Sequence, residues 1–426
     1  MRAIDPTNAV QRWLRIERGR LQIGDVQAAF HSKIRVIAVG KASSPMLTTA
    51  LNILGKRVLS GILVTPRNSS QKSMDKRIVI FRSSHPVPDE EGIRASRHVL
   101  ASIEQMQANE LLLCLISGGA SAMLPAPTAD ITLEDKRTVT QQLIQSRASI
   151  HQINTVRRHL SELKGGRLVQ RCNAGTIISL IISDVSGNVL SDIASGLTAP
   201  DPTTFRNAIN VLKEFNLWNS APQGVRNHLQ QGLTGNIPET PKPGNRLFRK
   251  VHNFVVADNR TACEAARRAL QKKHIPTTIM TSSVDMEARS LGKMLASVAR
   301  DSEQFGQPLK LPSALICGGE TTVEVKGIGR GGRNQETALS TVERIEGLNG
   351  VAIAALGTDG VDGNSPAAGA VVGPHSIVRA KRLRLRVRDF AERNDSYNFF
   401  RKLNDNIVTG PTGTNVGDLY LLIRAK

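Results

Sequence analysis

Short runs of branched and leucine-type residues recur along the chain, and most stop at or just before a glycine, serine or aspartate. The runs at 34–40 (IRVIAVG), 61–65 (GILVT), 78–81 (IVIF), 111–117 (LLLCLIS) and 176–183 (TIISLIIS) are almost wholly apolar rather than alternating, the pattern of strands buried on both faces. Between them apolar positions recur every three or four residues. This predicts helices such as one from about Gly92 to Met106 and one through VRRHLSELKGGRLVQ, and the spacing of Val10, Trp13, Leu14 and Ile16 predicts an amphipathic helix near the start. Strands alternating with helices form a largely parallel, doubly wound α/β sheet, which takes ligands at the carboxyl ends of its strands.

The segment 235–246 (GNIPETPKPGNR) breaks the pattern with prolines and glycines and reads as a linker. Beyond it the strand-then-turn theme returns at 253–258 (NFVVAD), 277–281 (TTIMT), 314–319 (ALICGG) and 351–357 (VAIAALG). A chain of 426 residues exceeds the roughly 250–300 at which one core stops growing. The expectation is an N-terminal α/β domain over 1–236 and a smaller α/β domain over 247–426.

The candidate chemistry lies in the turns. Gly40 and Lys41 follow the first strand, and Ser117, Gly118, Gly119 and Ser121 form a strand-to-helix turn of small donors. Gly318, Gly319 and Glu320 end another strand, after which Gly327, Gly329, Gly331 and Gly332 surround Arg330 and Arg333 in a loop that opens a helix at Asn334. Glycine lets backbone N–H groups approach an anion, and a guanidinium at a helix start suits a phosphoryl group. Asp184, Asp201, Asp359 and Asp362 stand in acidic turns, where carboxylates suit magnesium or a general base for an alcohol; Asp-Gly is equally a plain turn dipeptide. His85 precedes a proline in SSHPVPDEEG and reads as structural or substrate-facing. A GxxxxGK[ST] loop is absent, and neither the Gly40–Lys41 turn nor the Ser117–Gly119 turn is GxGxxG, which weakens a dinucleotide reading.

Charge narrows the partners. Lys plus Arg number 56 against 36 acidic residues, a net +20, which raises nucleic acid as a partner. Aromatics are only 3%, too few for the stacking platforms that hold single strands, and the one basic cluster, 379–388 (RAKRLRLRVR), reads as solvated surface. A diffuse positive field instead attracts nucleotides and organic acids. Cys114, Cys172, Cys263 and Cys317 are scattered and form neither a zinc nor a disulfide pattern. No signal-peptide pattern opens the chain, and the longest apolar stretch, Leu111 to Pro127, is broken by Ser117, Gly118 and Gly119. A cytoplasmic protein without a membrane partner is expected.

In order, VGKAS, HPVPDEEG, LISGGASA, INTVRRHLSELKGGRL, SDVSGNVLSDIASG, DPTT, GGETTVEVKGIGRGGRNQE, GTDGVDG, NDSYNFF and IVTGPTGTNVGDL span the chain from Ile34 to Ile423. This set resembles the glycerate kinases whose C-terminal module is called MOFRL, some of which are named hydroxypyruvate reductases. The resemblance implies ATP-dependent phosphorylation of D-glycerate, usually to 2-phosphoglycerate, and a magnesium requirement. It also implies a Rossmann-like larger N-terminal domain, a smaller C-terminal domain, and an active site in the cleft between them. The family's active-site pair falls on Lys41 and Arg333. Asp184 joins them as a catalytic candidate and, with Asp201 and Asp359, as a metal candidate. The chain departs from the family at Ala120, where a third glycine is usual, at Asn188 and Pro366, where acids are usual, and at Leu197 and Asp258. Two alternatives stand beside the kinase: an NAD(P)H-dependent hydroxypyruvate reductase, and a non-catalytic relative that binds an anion or nucleic acid.

Overall fold

The computed structural model describes residues 1–17, 20–28, 33–69 and 75–425. Pro6–Ser183 with Asn188–Val256 forms one compact unit, and Met1–Asp5, Asp184–Gly187 and Ala257–Lys426 form the other. The division falls near Ala257, not in the proline-rich segment 235–246, which lies inside the first unit. The strand at 253–258, read as the start of the second domain, adds instead to the edge of the first sheet.

The first unit opens with α1 (Pro6–Trp13) and a small antiparallel sheet of β1 (Leu14–Glu17), β2 (Arg20–Ile23) and β3 (Val26–Ala28). The helix expected to run through Ile16 therefore stops at Trp13, because Leu14 pairs across the sheet with Ile23. The main sheet follows: β4 (Lys33–Val39), α2 (Ser43–Leu54), β5 (Val58–Pro66), β6 (Ile78–Ser83), α3 (Glu90–Glu104) and β7 (Glu110–Ile116). Then come α4 (Ala120–Met123), α5 (Leu133–Gln145), α6 (Ile150–His159), α7 (Arg167–Arg171), β8 (Thr176–Ile182), α8 (Phe205–Glu214), α9 (Gln223–Leu233) and β9 (Val251–Ala257). The helix expected through VRRHLSELKGGRLVQ is broken into α6 and α7. Gly165 and Gly166 take φ of +61° and +81° between them, a left-handed bend that no helix can contain.

The six strands lie in the order β6-β5-β4-β7-β8-β9, and β6 through β8 pair in parallel. All seven positions of β7 are buried, as an apolar strand with both faces covered must be. The helix starts are specified locally. Asp89 caps α3 by accepting the Gly92 N–H, and Thr132, Ser149 and Thr204 form reciprocal capping boxes on α5, α6 and α8. Ile153, Val156, Phe205, Leu212 and Leu229 share a core between these helices.

The second unit continues with α10 (Asn259–Gln271), β10 (Thr277–Val284), α11 (Ala288–Phe305), β11 (Ser313–Gly319), α12 (Arg333–Leu339), β12 (Val351–Gly357) and β13 (Gly369–Val372). It ends with α13 (Ser376–Arg382), α14 (Val387–Glu392), α15 (Ser396–Leu403), β14 (Asn406–Ile407) and β15 (Asp418–Arg424). Its sheet, in the order β10-β11-β15-β12-β13-β14, is mixed: β10 and β11 are parallel, while β15 runs antiparallel between β11 and β12. The carboxyl ends of β11 and β12 thus meet the amino end of β15. Leu295, Phe399, Phe400, Tyr420 and Leu422 lie in the core of this unit. The chain's first residues belong here too: Ile4 is 1% exposed, and its carbonyl accepts a hydrogen bond from Thr414 Oγ1 (3.1 Å). Among the described residues no helix is long and apolar enough to cross a membrane.

Candidate active site

In the first unit the sheet's order reverses between β4 and β7, since the chain runs outward from β4 through β5 and β6 and then returns to β4's other side. Ligands of such sheets bind where the order reverses. The two turns singled out from the sequence, at Gly40–Lys41 and at Ser117–Gly119, follow these two strands. They interlock through their backbones: Ser117 N–H donates to the Val39 carbonyl (3.0 Å), Lys41 N–H to the Gly118 carbonyl (2.9 Å) and Ala42 N–H to Ser117 Oγ (3.0 Å). Gly40 has φ +118°, and a Cβ there would overlap the Ser117 carbonyl and hydroxyl oxygens, so this approach requires glycine. Lys41 points its side chain into solvent, and among the described residues its amine has no hydrogen-bond or ion-pair partner.

Gly119 carries φ +90°, and a Cβ on it would come 3.1 Å from the His85 ring, so His85 covers this turn. Ala120, where the family has a third glycine, opens α4 in helical conformation and needs no positive φ. Burial by the surrounding chain, then the charges of Lys41 and Arg157, push the His85 pKa down to about 4, a shift that the residue's exposure to solvent limits. The expected donors Ser117 and Ser121 both turn inward. The hydroxyl of Ser117 joins the two turns, and that of Ser121 meets Ser195 Oγ (2.8 Å), which donates to Asn154 Oδ1 (2.9 Å).

Asp201, expected as a metal ligand, is a correction. It is fully buried, paired with Arg158 Nε (2.9 Å) and hydrogen-bonded by Thr203 N–H (2.9 Å), Thr203 Oγ1 (2.6 Å) and Thr240 Oγ1 (3.0 Å). A carboxylate so engaged balances a buried arginine and is closed off from solvent and its ions.

In the second unit Arg333 begins α12 and is held by acids. Its Nε and Nη2 donate to the two oxygens of Asp418 (2.5 and 3.1 Å), and its Nη1 donates to Glu320. Asp418 is 1% exposed and also accepts from the Tyr420 hydroxyl (3.1 Å). Desolvation raises the Glu320 pKa, opposed by Arg333 and reinforced by Asp418 and Asp184; the 47% exposure of the Glu320 side chain limits that shift. Asp359 is half-buried with Oδ1 accepting the Val361 N–H (3.1 Å). A Cβ on Gly357, at the end of β12, would lie 3.1 Å from Asp359 Oδ1 and 3.4 Å from both Asn334 Nδ2 and Asp418 Oδ1. These groups therefore surround one point at the strand ends. Gly318 and Gly319 at the end of β11 are glycines because a Cβ would strike Asn259 in one case and the Val284 backbone in the other.

The glycine loop before α12 packs against the rest of its own unit. Its amides are already used: Lys326 and Gly327 N–H donate to Asn394 Oδ1, Gly329 to the Arg393 carbonyl, Arg330 to Asp395 Oδ1 and Gly331 to Asn364 Oδ1. Side chains at Gly327 and Gly329 would collide with Arg393 and Asp395, so the glycines permit packing against the segment before α15. Arg330 lies over the Tyr397 ring, 4.9 Å from its centre. At the start of α12, Asn334 and Gln335 N–H both donate to Asp362 (3.1 and 2.8 Å), so the helix start holds the protein's own carboxylate, and Asn334 is buried. A Cβ on Gly332 would also strike Asp362. Burial, against those two bonds, raises the Asp362 pKa to about 6.

Among the described residues no three His, Cys, Asp or Glu side chains are grouped as a metal site, so Asp184, Asp201 and Asp359 are not brought together as one. Asp418, Asp362 and Arg157 were not singled out as site residues from the sequence, except for Asp362 as an ambiguous turn. The pairing of Asp418 with Arg333 joins positions 85 apart in the chain, and no local pattern announces it.

Comparison with known proteins gives the family context. Residues 1–230 match a domain of unknown function, DUF4147, and residues 313–418 match the MOFRL family. The chain is 37% identical over 424 residues to the glycerate 2-kinase of Pyrococcus horikoshii, covering 99% of this chain and 94% of that one. A relative from Agrobacterium vitis, provisionally named a hydroxypyruvate reductase, is 38% identical over 91% of this chain and 86% of its own. The crystal structure of a glycerate kinase from Thermotoga maritima superposes with a TM-score of 0.86 at 36% identity, covering 99% of this chain and 96% of that one.

Proposed function

The chain belongs to the glycerate kinases that carry a MOFRL domain, phosphotransferases acting on an alcohol group, and from that membership we propose that it phosphorylates D-glycerate with ATP to give 2-phosphoglycerate. The observation that carries this reading is the Lys41 turn: an amine with no counter-ion among the described residues, fixed by two interlocked turns where the sheet order reverses. Phosphoryl transfer needs little covalent chemistry from the protein and much charge placement. Lys41 is the cation for the transferred phosphoryl group, and Arg333, oriented by Asp418 and Glu320, is a second cation for phosphate oxygens. Asp184, just beyond the end of β8, takes the proton of the attacking hydroxyl.

Magnesium fits this reading, because it needs only one or two protein carboxylates beside the phosphates. Asp359, with one oxygen committed to the Val361 amide, and Asp184 would hold it; Asp201, fully engaged inside the first unit, would not. The ion would supply neutralisation of phosphate charge. A cytoplasmic location is in keeping with four buried, unbridged cysteines. The reductase alternative has little support from the GxGxxG spacing at 327–332, which does not directly follow a strand and whose Gly327, Gly329, Arg330 and Gly331 amides are bound to Asn394, Arg393, Asp395 and Asn364.

The test is purified protein with D-glycerate, ATP and magnesium, coupled to ADP detection, with the product identified by NMR. ADP formation dependent on D-glycerate, with 2-phosphoglycerate as product, is expected. No ADP above background would overturn the kinase reading, and NADH oxidation with hydroxypyruvate would replace it.

A further inference from the structure

Two arginines stand side by side in α6 and are treated in opposite ways. Arg158 is 1% exposed and heavily engaged: it donates to the Ser191 carbonyl (2.8 Å), Asp192 Oδ1 (3.1 Å), Thr155 Oγ1 (3.3 Å) and Thr203 Oγ1 (3.4 Å), and it pairs with Asp201 (2.9 Å). Arg157 is half-buried, and among the described residues it has neither a hydrogen-bond acceptor nor an acid partner. A guanidinium withdrawn from water without an acceptor is costly, so such a residue is kept for a reason other than stability.

Its place indicates the reason. Arg157 and Asn154 are one helical turn apart and share a face of α6. Asn154 reaches Ser195, and through it Ser121 on α4, directly after the Ser117–Gly119 turn. Around the same turn, Lys164 Nζ donates to the Leu124 carbonyl and Lys136 Nζ to those of Pro125 and Leu160 (3.0 Å). Lys41 and His85 add a cation and a neutral ring, and the carboxylate that Asn154 also reaches, Asp192 (3.3 Å), is already paired with Arg158 (3.1 Å). Glu162, the one acid whose charge reaches Lys136, is shared with Arg171 (3.7 Å). Burial alone holds the Arg157 pKa down to about 10. Burial and then the Arg157 charge bring Lys164 down to about 7. Positive groups crowded to this degree await an anion.

We propose that Arg157 binds the carboxylate of the hydroxy-acid substrate, beside Lys41 and His85, and so makes the enzyme specific for acids over neutral polyols. This rests on the kinase reading above. The planar fork of arginine accepts a carboxylate through two parallel hydrogen bonds, whereas Lys41 offers only a point charge; that difference divides the work between carboxylate and phosphoryl group.

The experiment is steady-state kinetics on Arg157→Gln and Arg157→Lys, with D-glycerate binding measured separately by calorimetry without ATP. Arg157→Gln raises KM for D-glycerate about 10–100-fold, as expected for loss of a charge-assisted pair, and leaves KM for ATP within about twofold. Arg157→Lys, which restores charge without the fork, lies between. An unchanged KM for D-glycerate in both variants overturns the proposal, and a rise confined to KM for ATP reassigns Arg157 to the nucleotide's phosphates and overturns it too. Failure of the kinase reading looks different: wild-type protein then forms no ADP. Calorimetry still decides the carboxylate site in that case, through D-glycerate binding that the wild type has and Arg157→Gln lacks.

Discussion

Lys41 stands at the end of a strand with Arg157 and His85 nearby and, among the described residues, no carboxylate paired to it, whereas Arg333 is gripped by Asp418 and Glu320. The first arrangement leaves positive charge uncompensated, so an anionic ligand gains the whole of the interaction. The second uses acids to hold a guanidinium in one orientation, at the cost of part of its field. A kinase needs both: a place where negative charge is welcome, and a cation that does not move when the phosphates arrive. The two sites also spend their glycines differently. Gly40 lets two turns meet, and Gly327 and Gly329 let a loop pack against Arg393 and Asp395.

The contrast is broken most directly at Lys41. Lys41→Ala removes charge that no local ion pair can replace, and kcat should fall about 10³-fold with the fold intact by circular dichroism. Turnover within tenfold of wild type would show that the uncompensated turn is not where phosphoryl charge is met. At the caged arginine the effect should be smaller, because Asp418→Asn keeps the shape and loses only the charge. A fall in kcat/KM of about 10²-fold is expected, with KM for D-glycerate little changed. If thermal stability falls but turnover does not, the acids serve packing rather than orientation.

Asp362→Ala strips the acceptors from the Asn334 and Gln335 N–H groups, and urea unfolding should register a loss of about 1–3 kcal/mol. No change would mean that water caps α12 equally well. The smallest effect concerns His85, which stays neutral while folded down to about pH 4 but titrates at its ordinary 6.5 when unfolded. The unfolded chain therefore takes up a proton that the folded one refuses. The stability tied to this residue is present above pH 6.5 and is lost as pH falls toward 4. His85→Gln should flatten that part of a plot of Tm against pH, by an amount limited by the residue's exposure to solvent.

The strands were legible because full burial leaves runs such as LLLCLI with no polar position to disguise them, and the strand-end turns at Gly40 and Ser117 followed from that. The first sheet's extent was not legible: β9 looks like any strand after a linker, and only its pairing beside β8 assigns it. The break between α6 and α7 was written in Gly165 and Gly166, but a periodic apolar pattern on both sides masked it. At the sites, residue types were readable and their commitments were not. Asp201 and Asp359 are the same residue in similar turns, yet one is saturated by Arg158 and two threonines while the other stays half-open. Arg157 and Arg158 are neighbours in sequence, and only the folded surroundings separate the paired one from the unpaired one.

The bond from Thr414 to the Ile4 carbonyl joins positions 410 residues apart. On a ribosome, Ile4 thus emerges long before it can find its place, since its partner is added 410 residues later. At roughly 5–20 residues per second, this leaves the opening segment waiting some tens of seconds, while Pro6–Val256 has most of its own partners at hand. The second unit thus draws on segments synthesised far apart in time, and it closes only after Thr414 has been added.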